Sequence, residues 1–398
     1  MLTHIVTGSI CAALFATALA AYGFFEPNII AYALAAWAVL CMFLRPKKSC
    51  LLTGAFLLCT AIAYGAVTLT GVAQDYAATP EQYLADYNPV LGMYTFMPNT
   101  QVTMEQQAGL LSRLDPTQPS VQRTISFFTD DIGLRNAEPF TTQQTMLIGG
   151  SFLYGSGSTQ DALVSTLLQR NYGISAYNVA TIGNLDAQAL LAFTVSNTSA
   201  TKPTGIVFMF EGEDFAPFST ESAYPFKRAV LFLGNNDLAR FVRNYSTLLP
   251  QSKAATAPVV QYRLGSSTLS FSKAYVDATL STSQEPLPKL ADLLNTLGKR
   301  SKLVKAVVFI PTKLRVYAPL LGEDAPNIPA SPKLEMLRTI AKEAGIPVYD
   351  LTPHLQAAAI QAWGTSRDFV WWRDDVVWNE KGAEVGAQLV KSIMDSKL

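Results

Sequence analysis

The chain has 398 residues, 30 basic and 30 acidic side chains, a net formal charge of +0, and 49% hydrophobic residues. That length holds more than one domain, and the balanced charge gives no electrostatic footing for nucleic acid. With only four cysteines and two histidines, a disulfide framework or a Cys/His metal centre is not expected, and no metal or cofactor is assigned.

From Met1 to Gln74 the only Lys, Arg, Asp or Glu residues are Glu26, Arg45, Lys47 and Lys48. Three apolar segments fill this region, at about Ile5 to Phe24, Ile29 to Leu44 and Leu51 to Val72. Each is near the length of a bilayer span, the second being short. The first lacks the basic start of a signal peptide and two more follow it, so residues 1–74 read as a three-span membrane anchor. The basic Arg45–Lys48 turn is expected in the cytoplasm. The N-terminus is then cytoplasmic too, and everything after Gln74 lies outside. A compact anchor of this kind suggests a bacterial inner membrane with the C-terminal domain in the periplasm. Cys11, Cys41, Cys50 and Cys59 all fall in or beside the spans, so the outer domain has no thiol nucleophile.

Residues 75–145 are polar and rich in Gln, Thr and Pro. They read as a stalk and a lead-in segment, with a tight turn over Thr129–Asn136. From residue 146 to the C-terminus strands alternate with helices. Met146–Ile148, Ser175–Ala180, Gly205–Phe210, Lys305–Ile310 and Pro347–Asp350 are predicted strands. Thr159–Tyr172, Asp186–Thr194, Pro332–Ala344 and Asn379–Ser396 are predicted helices. This alternation predicts an α/β domain with a parallel sheet and helices on both faces. Residues of about 215–302 interrupt the rhythm. They carry two predicted helices, Asn236–Leu249 and Pro286–Leu297, around a Ser/Thr-rich portion, and read as an insertion covering one sheet edge.

The run Gly149-Gly150-Ser151-Phe152-Leu153-Tyr154-Gly155 follows the first strand. A serine at the carboxyl end of a strand, on a Gly-rich turn feeding a helix, is where a nucleophile sits. The small residues allow the sharp turn, and a helix N-terminus favours a developing oxyanion. The same residue types also suit a strand–helix turn for backbone reasons alone.

The motif order resembles the SGNH (GDSL) hydrolase and acyltransferase family, membrane-anchored type, from about Gly133 onward. Ile132-Gly133-Leu134-Arg135 is similar to a turn that precedes the nucleophile in anchored members. Gly149-Gly150-Ser151-Phe152 resembles the Gly-Asp-Ser motif. Asn178-Val179-Ala180-Thr181-Ile182-Gly183 resembles the second motif, whose glycine lends an N–H to the oxyanion hole. Glu211-Gly212-Glu213-Asp214 resembles Gly-x-Asn-Asp, with Glu213 in place of the oxyanion-hole Asn. Asp375-Val376-Val377-Trp378-Asn379, followed by Gly382, resembles Asp-x-His-Trp-Asn, with Val377 in place of the catalytic His. Pro311-Thr312-Lys313 resembles larger anchored members, including the SGNH-like domains of the alginate O-acetylation proteins. The resemblance implies a three-layer α/β fold. It also implies a Ser151/Asp375 pair at triad positions and an oxyanion hole at Ser151, Gly183 and Glu213.

The departures sit at chemically separate roles. A serine hydroxyl needs an adjacent base, and Val377 accepts no proton. Glu213, when ionised, repels an oxyanion that an Asn would stabilise; one lost donor costs about 2.7–4 kcal/mol. Asp375 has no imidazole to orient. Two other groups are candidate bases: Glu213 itself, and His354, the lone histidine after Gln74. His354 also fits a surface position near a helix cap formed by Asp350 or Thr352. Asn379 reads as the N-cap of the last helix. Trp371, Trp372 and Trp378 fit either a carbohydrate cleft or packing under that helix.

The sequence thus leaves catalysis open. The first reading is a degenerate SGNH-like domain that binds a cell-envelope glycan or a partner in polysaccharide processing. The second is an active esterase or O-acyltransferase using Ser151 with a non-standard base. The third is a structural scaffold of a membrane complex.

Overall fold

The structure, a computed structural model, describes residues 37, 46–75, 77–88, 91–182, 185–197, 202–215, 236–248, 259–283 and 287–396. In chain order, α1 (Pro46–Thr70), α2 (Val72–Asp75), α3 (Pro80–Leu84), β1 (Ala85–Asn88), β2 (Met93–Phe96), β3 (Gln101–Gln106), α4 (Leu110–Leu114) and β4 (Arg123–Phe128) come first. Then follow β5 (Thr145–Ile148), α5 (Ser151–Tyr154), α6 (Val164–Tyr172), β6 (Ala176–Asn178), α7 (Leu185–Asn197), β7 (Thr204–Phe210) and α8 (Asp237–Leu248). The rest are β8 (Val259–Leu264), β9 (Ser267–Ser272), α9 (Lys273–Leu280), α10 (Pro288–Asn295), β10 (Val304–Ile310), α11 (Lys313–Tyr317), α12 (Pro332–Ala344), β11 (Val348–Asp350), α13 (Thr352–Ser366) and α14 (Glu380–Asp395). The chain divides into two compact units, residues 1–93 with 221–253, and residues 94–220 with 254–398.

In the first unit, α1 contains a stretch, Cys50–Thr70, long and apolar enough to cross a membrane. Leu51, Leu58, Ile62 and Leu69 are exposed along it. The other two segments expected to span the membrane lie outside the described residues, apart from Trp37. The amphipathic α8 packs on α1 and α2, burying Leu238 with Val67 and Ala73. Arg240 of α8 pairs with Asp86 and Asp237, each at 3.2 Å.

The second unit is built on a five-stranded parallel sheet in the order β11-β10-β7-β5-β6. β5, β7 and β10 are near-continuous apolar runs because both faces are covered. Alternate residues Leu147, Ile206, Phe208, Phe210, Ala306, Val308 and Ile310 enter one large core, shared with Leu167 and Leu168 of α6, Leu355 of α13 and Leu389 and Val390 of α14. On the other face α7 packs on β5, and α10 packs against α12. This is the three-layer α/β arrangement the alternation predicts.

Several boundaries differ from the sequence reading. The helix expected at Thr159–Tyr172 is broken at Leu163, because residues 160–162 form a 3-10 turn and Leu163 is extended. The helix that follows the serine is a separate one, and it begins at Ser151 itself. The Ser/Thr-rich part of the insertion folds as the antiparallel hairpin β8–β9 followed by α9. Its two-residue connection uses Gly265 at φ +61, a left-handed residue that suits tight hairpins. Residues 94–145 belong to the same compact unit as the sheet, and β3 pairs there with β4 in antiparallel register.

Candidate functional site

Ser151 opens α5 directly after β5 and the Gly149–Gly150 turn. A side chain at Gly149 would put its Cβ 3.0 Å from the Phe208 carbonyl oxygen, so glycine lets the turn pass close to β7. The four-residue helix ends at Gly155, φ +73. Arg135, fully buried, holds that end: Nη1 donates to the carbonyls of Tyr154 and Gly155, both at 2.7 Å. Its Nη2 donates to Ser126 and Ser158 carbonyls at 3.0 and 2.7 Å. Arg135 is presented by the Thr129–Asn136 turn, in which Asp130 accepts from the Ile132 and Leu134 amides, Asn136 and the Tyr177 hydroxyl. Burial pushes the Asp130 carboxyl up despite these donors. Asn136 exchanges two hydrogen bonds with the backbone of Asn178, whose own amide donates to the Leu153 carbonyl at 2.8 Å. The first two sequence motifs therefore converge on α5. Gly183 lies outside the described residues.

Gly150, Ser151, Phe152, Phe208, Phe210, Glu213, Asp214 and Ile310 line a crevice of only about 20 Å³. It brings Ser151 and Glu213 together. Among the described residues no group hydrogen-bonds to Ser151 Oγ. Glu213 instead accepts from the Tyr275 hydroxyl. The Tyr275 ring meets Phe210 edge-on at 5.1 Å, an approach that Gly212 permits: a Cβ there would lie 2.3 Å from Phe210 Cε1 and 3.0 Å from Tyr275 Cδ1. Burial, then the neighbouring Glu213 carboxylate, push the Tyr275 phenol up. Asp214 accepts from the Phe210 amide at 2.7 Å, and burial with Glu213 beside it pushes its carboxyl up to about 6. Glu211 is committed elsewhere, in a buried ion pair with Arg315 at 2.7 Å that Ser331 and the Thr312 amide complete. Tyr275 belongs to the insertion and left no signal in the sequence, since a lone tyrosine on a short helix is unremarked by any motif.

The last motif forms a loop that is tied down from several sides. Val377, which the motif resemblance sets at a His position, is 4% exposed and packs into the main apolar core. Asp375 is buried, accepts from the Val376 amide at 2.8 Å and lies 3.8 Å from Arg123. Burial pushes its carboxyl up, against the lowering effect of Arg123. Its neighbour Asp374 is the structural acid: it pairs with Arg123 at 2.7 Å and accepts from the Gly109 and Val121 amides. Lys313 points three bonds at the same loop, donating to the carbonyls of Trp372, Arg373 and Asp375 at 2.9–3.0 Å. Burial pulls its amine down to about 7. The tandem Asp374-Asp375 was the available sign of this second role, and the sequence reading assigned only Asp375.

Trp371 and Trp378 are fully buried, with indole N–H bonds to the carbonyls of Val376 and Phe152. They pack the core and do not line a carbohydrate cleft. Trp372 stacks under the Arg123 guanidinium at 4.2 Å. Asn379 caps α14 as expected, accepting from Gly382. His354 is exposed on the first turn of α13 and does not line the Ser151 crevice. Leu351 holds the N-cap position of that helix without a side-chain cap, and Asp350 before it accepts from the Thr352 amide at 2.9 Å.

Residues 270–397 match the family model of the SGNH hydrolase-like domain of the acetyltransferase AlgX. This C-terminal stretch of the α/β unit is therefore similar to an SGNH hydrolase-like domain. The matched stretch begins after Ser151, Asn178 and Glu213 and contains Lys313, Asp375 and Trp378. Searches of curated proteins and of solved structures returned no match.

Proposed function

We propose that this chain is a membrane-anchored, extracytoplasmic SGNH-like protein without the standard Ser-His-Asp activity, binding a glycan or a partner in cell-envelope polysaccharide processing. The observation that carries it is Val377: the residue at the triad His position is buried in the core, and no described group stands ready to take the Ser151 proton. Glu213 adds to this, because it offers an acceptor where an oxyanion needs a donor. The polysaccharide step rests on the AlgX-type family match and on analogy of fold, not on the crevice chemistry. The anchor rests on the apolar Cys50–Thr70 helix and on the two apolar segments before it.

A serine-reactive fluorophosphonate is the direct test. The full-length protein is expected to label slowly or not at all. Rapid labelling that Ser151→Ala abolishes would instead establish an active hydrolase or acyltransferase. That second reading has one observation in its favour, the shared crevice of Ser151 and Glu213, with Glu213 then acting as base. Reporter fusions test the topology: one after Gln74 is expected to behave as extracytoplasmic and one at Lys48 as cytoplasmic, and the reverse would remove the envelope assignment.

A further inference from the structure

A second concavity of about 420 Å³ lies on the α/β unit, away from Ser151. Its size falls within the roughly 300–1,000 Å³ of ligand sites. It is walled by the 136–143 segment, by Gln160 and α6, and by the start of the edge strand β6. Gln143 stands two residues before β5 and Ser175 immediately before β6, and these strands run parallel. The cleft is therefore at the amino ends of these strands, whereas Ser151 follows the carboxyl end of β5. One four-residue strand, at about 3.3 Å per residue, separates the two levels.

The lining is hydroxyl- and amide-rich. Gln160 is 6% exposed, and its Oε1 is held by the Phe128 amide and by Arg135 Nε at 3.2 and 3.3 Å. That fixes the side-chain amide and leaves Nε2 with no partner among the described residues. Ser165, 8% exposed, has a hydroxyl equally without a partner. Thr166 and Gln169 continue the set on α6, Ser165 and Gln169 sharing one helix face. Neither atom is fully buried, so both open onto the cleft and are free to bond a polar occupant. The Phe128 and Tyr177 rings supply apolar wall. Among the described residues the charged side chains lining the cleft are Glu138 and Asp161, with no Lys or Arg. Arg170, on the same helix, lies beside the lining: its Nη1 donates to the Asp161 carbonyl at 3.4 Å and its Nη2 faces Glu380 at 3.6 Å.

From these features we infer that the cleft is a saccharide subsite for uncharged sugar units. Fixed amide and hydroxyl groups exchange hydrogen bonds with sugar hydroxyls. A uronate would meet two carboxylates on the lining, while the nearby Arg170 guanidinium is shared with Glu380 and the Asp161 carbonyl. The inference rests on the glycan-binding reading above and locates that binding away from the Ser151 crevice.

The test is a binding titration of the full-length protein in detergent with three labelled hexasaccharides, of glucose, of N-acetylglucosamine and of galacturonate. At least one neutral hexasaccharide is expected to bind, and galacturonate at least about tenfold more weakly. Thr166→Arg, which fills the cleft from a half-buried position, should weaken binding by more than about tenfold. Thr166→Val, which keeps the shape and removes the hydroxyl, should weaken it by a smaller factor. Neutral-sugar binding that survives both variants in folded protein would overturn the cleft assignment and leave the glycan reading standing. Preference for galacturonate would overturn the uncharged-sugar assignment. No binding of any of the three by the unmodified protein would overturn the cleft and the glycan reading together.

Discussion

Trp378 Nε1 donates to the carbonyl oxygen of Phe152 at 3.1 Å, tying the last sequence motif to the residue after Ser151. The indole lies edge-on to the Phe152 ring at 4.9 Å. Gly382 gives it room, since a Cβ there would stand 2.5 Å from Trp378 Cβ and 2.4 Å from the Val370 carbonyl oxygen. The loop that carries Val377 is thus held directly opposite the Ser151 turn.

Trp378→Phe tests how much that tie contributes. The ring stays but the N–H is lost, so the Phe152 carbonyl is left buried and unpaired at a cost of about 1–3 kcal/mol. The void left by the smaller ring adds to this. Denaturant unfolding should show the loss. A change within about 0.5 kcal/mol, the scale of ordinary surface substitutions, would mean that water or a shifted loop satisfies the carbonyl.

Asp214 gives a pH signature. Its carboxyl titrates at about 6 in the folded protein and at 3.8 as a free group. Between those values the native state binds more protons than the unfolded chain, so stability falls as pH rises toward 6 and the penalty stays constant above it. Asp214→Asn keeps an acceptor for the Phe210 amide and removes the charge. The variant should be more stable than the parent above pH 6, with the gap closing as pH falls toward 3.8. A gap that is independent of pH would show that burial of this carboxylate is not the cause.

Lys313 should behave in the opposite sense. Three carbonyls within 3.0 Å call for three N–H donors, which only the ammonium form has, yet burial pulls the amine down to about 7 from 10.5. Between those values the unfolded chain keeps a proton that the native state gives up, so stability rises with pH, by at most about 1.4 kcal/mol per unit. Lys313→Met lacks this slope. The stability of the parent relative to the variant should therefore grow from pH 7 to pH 10, measured by denaturant titration at each pH. Parallel profiles would show that Lys313 keeps its proton throughout.

The sheet was legible because β5, β7 and β10 are apolar runs of strand length, buried on both faces and separated by helical spacing. The hairpin β8–β9 was not: its strands mix exposed and buried residues, and Ser267–Ser272 carries no strong alternation. The Ser151 turn, Asn178 and the Asn379 cap could be read because each needs a particular residue at a fixed offset from a strand or helix. Arg135 could be placed only as part of a turn. Its partners include four backbone carbonyls and the Gln160 amide oxygen, spread over residues 126–160, and the sequence does not show which distant acceptors a buried guanidinium will meet. Tyr275 and Arg123 escaped for the same reason, since their roles depend on tertiary contact with Glu213 and Asp374.

The last prediction asks whether the crevice still holds a catalytic geometry. If the motif positions are right, residue 377 stands on the loop that Trp378 ties to Phe152, and residue 213 shares the crevice with Ser151. Val377→His introduces a base, and Glu213→Asn replaces an acceptor with a donor and releases the Tyr275 hydroxyl. General base catalysis is worth roughly 10²–10⁴-fold and one oxyanion donor roughly 10²–10³-fold. Val377 is 4% exposed, so an imidazole there is crowded and its protonated form is disfavoured by burial; only a fraction of these gains is expected. With a small activated ester the double variant should exceed both single variants, because both groups act on one transition state. The gain must vanish when Ser151→Ala is added. A folded double variant with no gain would show that the aromatic packing of Phe152, Phe210 and Tyr275 has closed the crevice to substrate, and residues 213 and 377 would lose their assignment as former catalytic positions.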